Sequence, residues 1–140
     1  MEESIGNAID RINLQKINLQ KHYPEQPLMV NADKGKLVIA FSNILINAVE
    51  AMEAGKGELT VTIQETPDNH TVIIKDNGKG IPQEYLTKLF EPFFTMKQNG
   101  VGLGLSASYS IIQSHKGAVQ VESQVNKGTT FTINFNKLNA

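Results

Sequence analysis

Two glycine-rich segments most strongly limit what this chain can fold into. They are Asp76-Asn77-Gly78-Lys79-Gly80-Ile81-Pro82 and Gly100-Val101-Gly102-Leu103-Gly104-Leu105. Glycine adopts positive φ and allows a backbone to approach a ligand closely. A glycine run that opens into an apolar helix also presents unpaired N–H groups at the positive end of the helix dipole, which suits phosphate. With Asn43-Ile44-Leu45-Ile46-Asn47-Ala48 upstream, the two segments predict a pocket for a phosphorylated nucleotide.

Composition restricts the class of protein. The 140 residues fit a single domain over residues 1–140. The formal charge of −1, from 13 basic and 14 acidic residues, does not indicate the excess of positive charge that is typical of nucleic-acid-binding proteins. The lack of cysteine excludes disulfides, thiolate metal sites and a thiol nucleophile. Since the sequence contains neither a membrane-length apolar run nor a signal peptide, we expect a soluble, cytoplasmic domain without membrane contact of its own. A longer parent could still be membrane-anchored.

Hydrophobic periodicity predicts alternating helices and strands. Apolar residues at helical spacing predict helices over residues 1–12, 33–53 and 103–115, and a short one around 85–90. Strands are predicted near residues 17–20, 28–30, 59–63, 71–75, 119–121 and 129–135. Turns are expected around residues 67–70, which include His70, and at 126–128. This order predicts an α+β two-layer sandwich with helices on one face of a mixed sheet.

Residues 82–101 carry prolines and glycines and little periodicity, so we expect a functional, mobile lid there. Its phenylalanines, Phe90, Phe93 and Phe94, either belong to the core or hold the lid and dock a partner helix.

The order of these segments resembles a known family. The Asn-rich helix, DNGKGIP, FEPFFT and GVGLGLS are similar to the N, G1, F and G2 boxes of bacterial two-component sensor histidine kinases, which belong to the ATPase superfamily of DNA gyrase, Hsp90 and MutL. The resemblance implies a Bergerat-type sandwich that binds Mg-ATP. It also implies transfer of the γ-phosphoryl group to a histidine on a separate helical dimerisation and phosphoacceptor domain, and through that domain to a response regulator.

Asp76 follows an apolar strand, where a buried carboxylate is costly without partners. An adenine amine would be such a partner, and the resemblance implies this contact. Alternatively, Asp76 only starts an Asn-Gly turn. The resemblance also places Gly78, Gly80, Ile81 and, near the adenine, Thr129 in the nucleotide site.

The metal and phosphate end is predicted from other segments. Asn47 is the Mg²⁺ ligand that the resemblance implies. A single amide oxygen from the protein is reasonable, because water and the substrate phosphates supply the other ligands of Mg²⁺. The alternative is a solvated helix asparagine. Backbone N–H groups of the second glycine segment should line the phosphates, through Gly100, Val101, Gly102, Leu103 and Gly104. Lys97 either reaches a terminal phosphate or is a solvated lysine. Glu50 either supports the metal's water shell or is an exposed helix glutamate without a role.

Asn43 lies where hydrolases of the superfamily carry a general-base glutamate. An amide cannot accept a proton at neutral pH, so Asn43 cannot act as a general base that activates water for hydrolysis. We therefore count Asn43, Asn47 and Lys97 as the candidate catalytic residues of a transferase. Two other classes stay open, a binding module that holds nucleotide without transfer and a superfamily ATPase.

The three histidines, His22, His70 and His115, lack the acidic residue and proline expected after a phosphoacceptor. We therefore expect an isolated catalytic domain or a split module, with the acceptor elsewhere. One departure from the family pattern is Glu50-Ala51, where several kinases carry a basic and an aromatic residue. The resemblance therefore does not carry phosphate and adenine contacts over to this turn.

Overall fold

The computed structural model describes residues 2–14, 16–22, 34–53, 55–86, 88–89 and 105–136. Its helices are α1 Glu2–Leu14, α2 Lys34–Glu50, α3 Gln83–Leu86 and α4 Ser106–Ser114. Its strands are β1 Asn18–His22, β2 Glu58–Glu65, β3 Asn69–Asp76, β4 Gly117–Gln124 and β5 Gly128–Asn136.

The five strands form one sheet in the order β1-β2-β3-β5-β4. Strand β1 runs parallel to β2, whereas the pairs β2–β3, β3–β5 and β4–β5 are antiparallel. The register sets Asp76 between Leu59 of β2 and Thr129 of β5. The predicted α+β sandwich with a mixed sheet is confirmed.

The core lies between one face of this sheet and the helices. Alternate residues of the central strands face it, among them Ile74 and Ile133, which are fully buried. From α2, Leu45 and Val49 are also fully buried, because the apolar stripe of this helix points at the sheet. Burying one such side chain contributes about 1.5–3 kcal/mol. The packing therefore fixes α2, with its two asparagines, against the sheet.

Helices α1 and α4 flank α2 and are hydrogen-bonded to its backbone. The hydroxyl of Ser4 donates to the carbonyl of Val38 at 3.2 Å, and that of Ser108 donates to the carbonyl of Ala40 at 3.2 Å. Both serines are buried, so the two bonds also satisfy polar groups that would otherwise be costly in the core.

Two local predictions were wrong. His70 lies inside β3 and is buried, because it is in phase with the inward-facing Val72 and Ile74. The short helix is α3, Gln83–Leu86, which begins directly after Pro82, a residue favoured at helix starts. The predicted strand at residues 28–30, most of the lid and its phenylalanines lie outside the described residues.

Candidate functional site

Asp76 is the last residue of β3 and its side chain is only 4% exposed. It is buried because it continues the inward phase of Val72 and Ile74 along the strand. Burial raises the pKa of the Asp76 carboxyl from 3.8 to about 6, and hydrogen bonds from the backbone N–H groups of Gly78 and Thr129 partly lower it. The carboxylate is therefore ionised at neutral pH but poorly solvated, which favours an additional donor.

The loop after Asp76 turns back onto the end of α2. The backbone N–H of Gly78 donates to Oδ1 of Asp76 at 2.8 Å, and the N–H of Lys79 donates to the carbonyl of Ala51 at 2.9 Å. A Cβ at Gly78 would lie 2.5 Å from that Ala51 carbonyl oxygen. Glycine is therefore required here for contact between the loop and the helix.

The same loop contacts the β4–β5 turn through Gly80. This residue has a φ of +76°, and a Cβ on it would lie 2.1 Å from the carbonyl oxygen of Gln124. The N–H of Asn126 donates to the carbonyl of Lys79 at 2.7 Å. In the described residues, Gly78 and Gly80 thus allow close approach to the protein's own backbone. Their predicted contact with a nucleotide stays a prediction.

Thr129 and Ser123 form a buried pair of hydroxyls next to Asp76. They face each other across β4 and β5, with 2.8 Å between Ser123 Oγ and Thr129 Oγ1. Ser123 Oγ also accepts a hydrogen bond from the N–H of Ile81 at 2.7 Å and donates to the carbonyl of Gly128 at 3.0 Å. A groove of about 560 Å³ is bordered by residues that include Asp76, Gln83, Ser123, Lys127, Gly128 and Thr129.

The α2 asparagines lie on the less buried side of that helix. Asn43, Asn47 and Glu50 are all partly exposed. The side-chain N–H of Asn47 donates to the backbone carbonyl of Asn43 at 2.8 Å. This bond uses one of the two amide hydrogens of Asn47, and the amide oxygen carries the lone pairs that can serve a metal ion.

The chemistry of these donors fits Mg²⁺ that arrives with phosphates. Within the described part of the chain, no cluster of three or more His, Cys, Asp or Glu residues could hold a metal ion. A single oxygen from Asn47 matches a cation that keeps several waters and is held mainly by substrate phosphates.

The remaining predicted site residues lie outside the described residues. They are Lys97, Gly100, Val101, Gly102, Leu103 and Gly104. The structure thus brings together Asp76, Gly78, Gly80, Ile81 and Thr129 at one end of the sheet.

Comparison with known proteins identifies the family. Residues 32–139 match the model of the histidine kinase-, DNA gyrase B- and HSP90-like ATPases. The chain belongs to this family. Over 127 residues it is 41% identical to sporulation kinase A of Bacillus subtilis, which covers 89% of this chain and 20% of that protein. The chain therefore spans about a fifth of the length of this relative.

Solved structures agree with this assignment. The nucleotide-free catalytic domain of the histidine kinase ThkA superposes with a TM-score of 0.85 at 29% identity, covering 97% of this chain and 89% of that domain. ThkA in complex with the response regulator TrrA matches with a TM-score of 0.81 at 26% identity, covering 99% of this chain and 39% of that one. The fold is that of histidine kinase catalytic domains.

Among the described residues, no helix combines the length and apolar character needed to cross a membrane.

Sequence reasoning missed Ser123, whose hydroxyl is within hydrogen-bond distance of Ile81, Gly128 and Thr129. A signal was available, because Ser123 continues the inward alternation of Val119 and Val121 along β4. A serine in the phase of two core valines must find hydrogen-bond partners, and here it finds them in the residues around Asp76.

Proposed function

We propose that this chain binds Mg-ATP and donates the γ-phosphoryl group to a histidine on a separate helical dimerisation and phosphoacceptor domain. It would be the catalytic part of a sensor histidine kinase. The observation that carries the proposal is the buried Asp76 carboxyl at the end of β3, in a chain that belongs to the histidine kinase-like ATPase family.

Adenine recognition by Asp76 is supported by its burial and its electrostatics. Its carboxylate already accepts two backbone hydrogen bonds, yet burial still raises its pKa. An adenine amine would supply a further donor to the ionised form. Guanine would present an acceptor at the same place and leave the carboxylate unsatisfied, which is the strongest kind of discrimination a site can offer.

Phosphoryl transfer, and not hydrolysis, is favoured by Asn43. This residue lies one helical turn before Asn47 and is bonded to it through its backbone carbonyl. Its amide cannot remove a proton from water. In the proposed mechanism, Asn47 would hold Mg²⁺ through its amide oxygen, and the metal would neutralise phosphate charge when bound. Lys97 and the glycines of residues 100–104 would position the phosphates, so that catalysis depends on placement and charge.

The phosphoacceptor must then come from another domain. His70 is buried within β3, and Nδ1 of His115 donates to the carbonyl of Ile111 at 2.8 Å, at the end of α4. His22 lies on strand β1, so none of the three histidines is placed on an exposed helix face, where an acceptor histidine would be accessible. Because ThkA was solved with the response regulator TrrA, we propose that a regulator receives the phosphoryl group from that acceptor domain.

The test is incubation with γ-labelled ATP, first alone and then with a helical phosphoacceptor domain of a related kinase. We expect ATP binding without self-labelling or appreciable hydrolysis by the chain alone. With the acceptor domain, an acid-labile label should appear on the acceptor, at a rate that rises with its concentration.

The matched controls separate the parts of this proposal. Asp76→Asn should weaken ATP binding roughly tenfold to a hundredfold and so reduce labelling at limiting ATP, whereas Asp68→Asn, the same change at an exposed turn residue, should not. Rapid phosphate release without acceptor would instead assign the chain to the ATPases of the family. ATP binding without transfer to any acceptor domain tested would assign it to the nucleotide-binding modules.

A further inference from the structure

We propose that Asn77 is a site of spontaneous deamidation that the folded loop of residues 76–81 suppresses, and that the deamidated product no longer closes this loop. The chemistry concerns this chain alone. Its consequence for nucleotide binding rests on the proposed function, since Asp76 and Gly78 belong to the same site.

The sequence supplies the reactive pair. Asn-Gly occurs twice in the chain, at Asn77-Gly78 and at Asn99-Gly100, of which the second lies outside the described residues. A glycine after the asparagine favours deamidation, because its backbone nitrogen is unhindered by a Cβ and its backbone rotates freely. Asn77 is exposed to solvent, so water reaches the site of reaction.

The reaction requires water but no oxidant and no reductant. The backbone nitrogen of Gly78 gives up its proton and attacks Cγ of the Asn77 side chain. The bond from Cγ to Nδ2 breaks, and Nδ2 leaves as ammonia with that proton. Water then opens the resulting succinimide at either of its carbonyls, which leaves aspartate or isoaspartate at position 77.

In the folded loop the attacking nitrogen is held by Asp76. The N–H of Gly78 donates to Oδ1 of Asp76 at 2.8 Å, and Asp76 is only 4% exposed. Loss of the Gly78 proton would place a second negative charge beside a buried carboxylate, which Coulomb repulsion opposes. The bond between Gly78 and Asp76 must therefore break before attack.

The side chain under attack is held as well. Oδ1 of Asn77 accepts a hydrogen bond from the N–H of Glu58 at 2.8 Å, and Nδ2 donates to the carbonyl of Lys56 at 3.1 Å. Both partners are backbone atoms at the start of β2. Attack therefore requires local opening of the loop, and its rate follows the population of the open state when reclosing is faster than the chemistry.

Neither product restores these bonds. Aspartate at position 77 has no donor for the carbonyl of Lys56, so two acceptor oxygens would face each other there. Isoaspartate adds one carbon to the main chain between Asp76 and Gly78, which displaces the N–H of Gly78 from the Asp76 carboxylate. Because the ammonia is lost, the change is irreversible.

The experiment compares deamidation at Asn77 in buffer and in urea at pH 7, measured by mass spectrometry of peptides. The ratio of the two rates is the protection that the fold provides. We expect a protection of roughly a hundredfold or more in the parent, since a charged bond contributes about tenfold to a hundredfold and two neutral bonds add to it. In urea, Asn99 should react at a rate similar to that of Asn77, because it is in the same pair.

Two variants with matched controls test the loop itself. Asp76→Ala should lower the protection roughly tenfold or more, because it removes the charged bond to Gly78, whereas Asp68→Ala, at an exposed turn, should not. Gly80→Ala should also lower it, since a Cβ there would lie 2.1 Å from the carbonyl oxygen of Gln124. Gly6→Ala, where nothing lies within 4 Å, should keep the protection of the parent.

The consequence for binding is measured on the deamidated parent, separated by ion exchange through its added negative charge. Its affinity for ATP should be roughly tenfold to a hundredfold lower than that of the unmodified chain. Unchanged affinity would overturn this part of the proposal.

Other outcomes would overturn the chemical part. They are equal rates at Asn77 in buffer and in urea, or no reaction at Asn77 in urea while Asn99 reacts. A folded Asp76→Ala variant with the protection of the parent would also do so. If that variant does not fold, Gly80→Ala decides by the same criterion. Failure of the unmodified parent to bind ATP would instead refute the proposed function and leave the measured protection unaffected.

Discussion

The buried carboxyl of Asp76 makes the stability of this domain depend on pH in an unusual direction. Its pKa is about 6 in the folded protein against 3.8 ordinarily. The folded state therefore holds the proton more tightly than the unfolded chain does. This contribution to stability is fully present below pH 3.8 and is lost as the pH rises through about 6.

The size of this contribution to the free energy of unfolding follows from the shift in the pKa of Asp76. At 1.36 kcal/mol per pKa unit, ionised Asp76 costs the folded state about 3 kcal/mol at neutral pH. Between about pH 4 and pH 7 the change is roughly 2 kcal/mol, because the unfolded chain is already half ionised near the lower value. Other carboxylates also titrate in this range, so the effect must be measured as a difference between two proteins.

The perturbation is Asp76→Asn, and the assay is urea unfolding of parent and variant at several pH values from about 4 to 7. The free energy of unfolding of the parent, relative to the variant, should fall by roughly 2 kcal/mol as the pH rises over this range. Asp68→Asn, at an exposed turn, should show no such trend. In the same samples, Asp76→Asn should weaken ATP binding roughly tenfold to a hundredfold. A difference between parent and Asp76→Asn that does not change with pH would refute the reasoning.

Two further predictions concern backbone and metal. Gly80→Ala should lower the free energy of unfolding by several kcal/mol more than Gly55→Ala, measured by urea unfolding. Both glycines have positive φ, +76° and +81°, but only at Gly80 would a Cβ collide with backbone, whereas at Gly55 nothing lies within 4 Å. Equal losses would show that the β4–β5 turn is not fixed against the loop. Asn47→Ala should remove most Mg²⁺-dependent phosphotransfer while leaving metal-free ATP binding nearly unchanged, and Asn13→Ala, at an exposed asparagine of α1, should affect neither. Identical Mg²⁺ titrations for parent and Asn47→Ala would exclude Asn47 as a ligand.

The sequence predicted those helices and strands whose buried face is marked by a regular spacing of apolar residues. The stripe on α2 and the apolar run into Asp76 specified a helix and a strand, because the burial of those faces dominates their energetics. His70 was misplaced because the predicted strand began two residues too late, at residue 71 and not at Asn69, although alternation with Val72 already put it in the inward phase. The bonds of Ser123 could not be predicted, since they depend on the register of β4 against β5 and on the path of the loop at Ile81.

The register of Asp76 opposite Thr129 joins residues about fifty positions apart along the chain. Because contacts of this separation form slowly and late, the donors and acceptors around Asp76 meet only after β3 has paired with β5. A partly folded chain that retains α1, α2 and β2 would have no such site. Nucleotide would then bind the native state alone and shift the folding equilibrium toward it by mass action. ATP binding by such a domain would therefore show that its folding is complete, in addition to supplying a substrate.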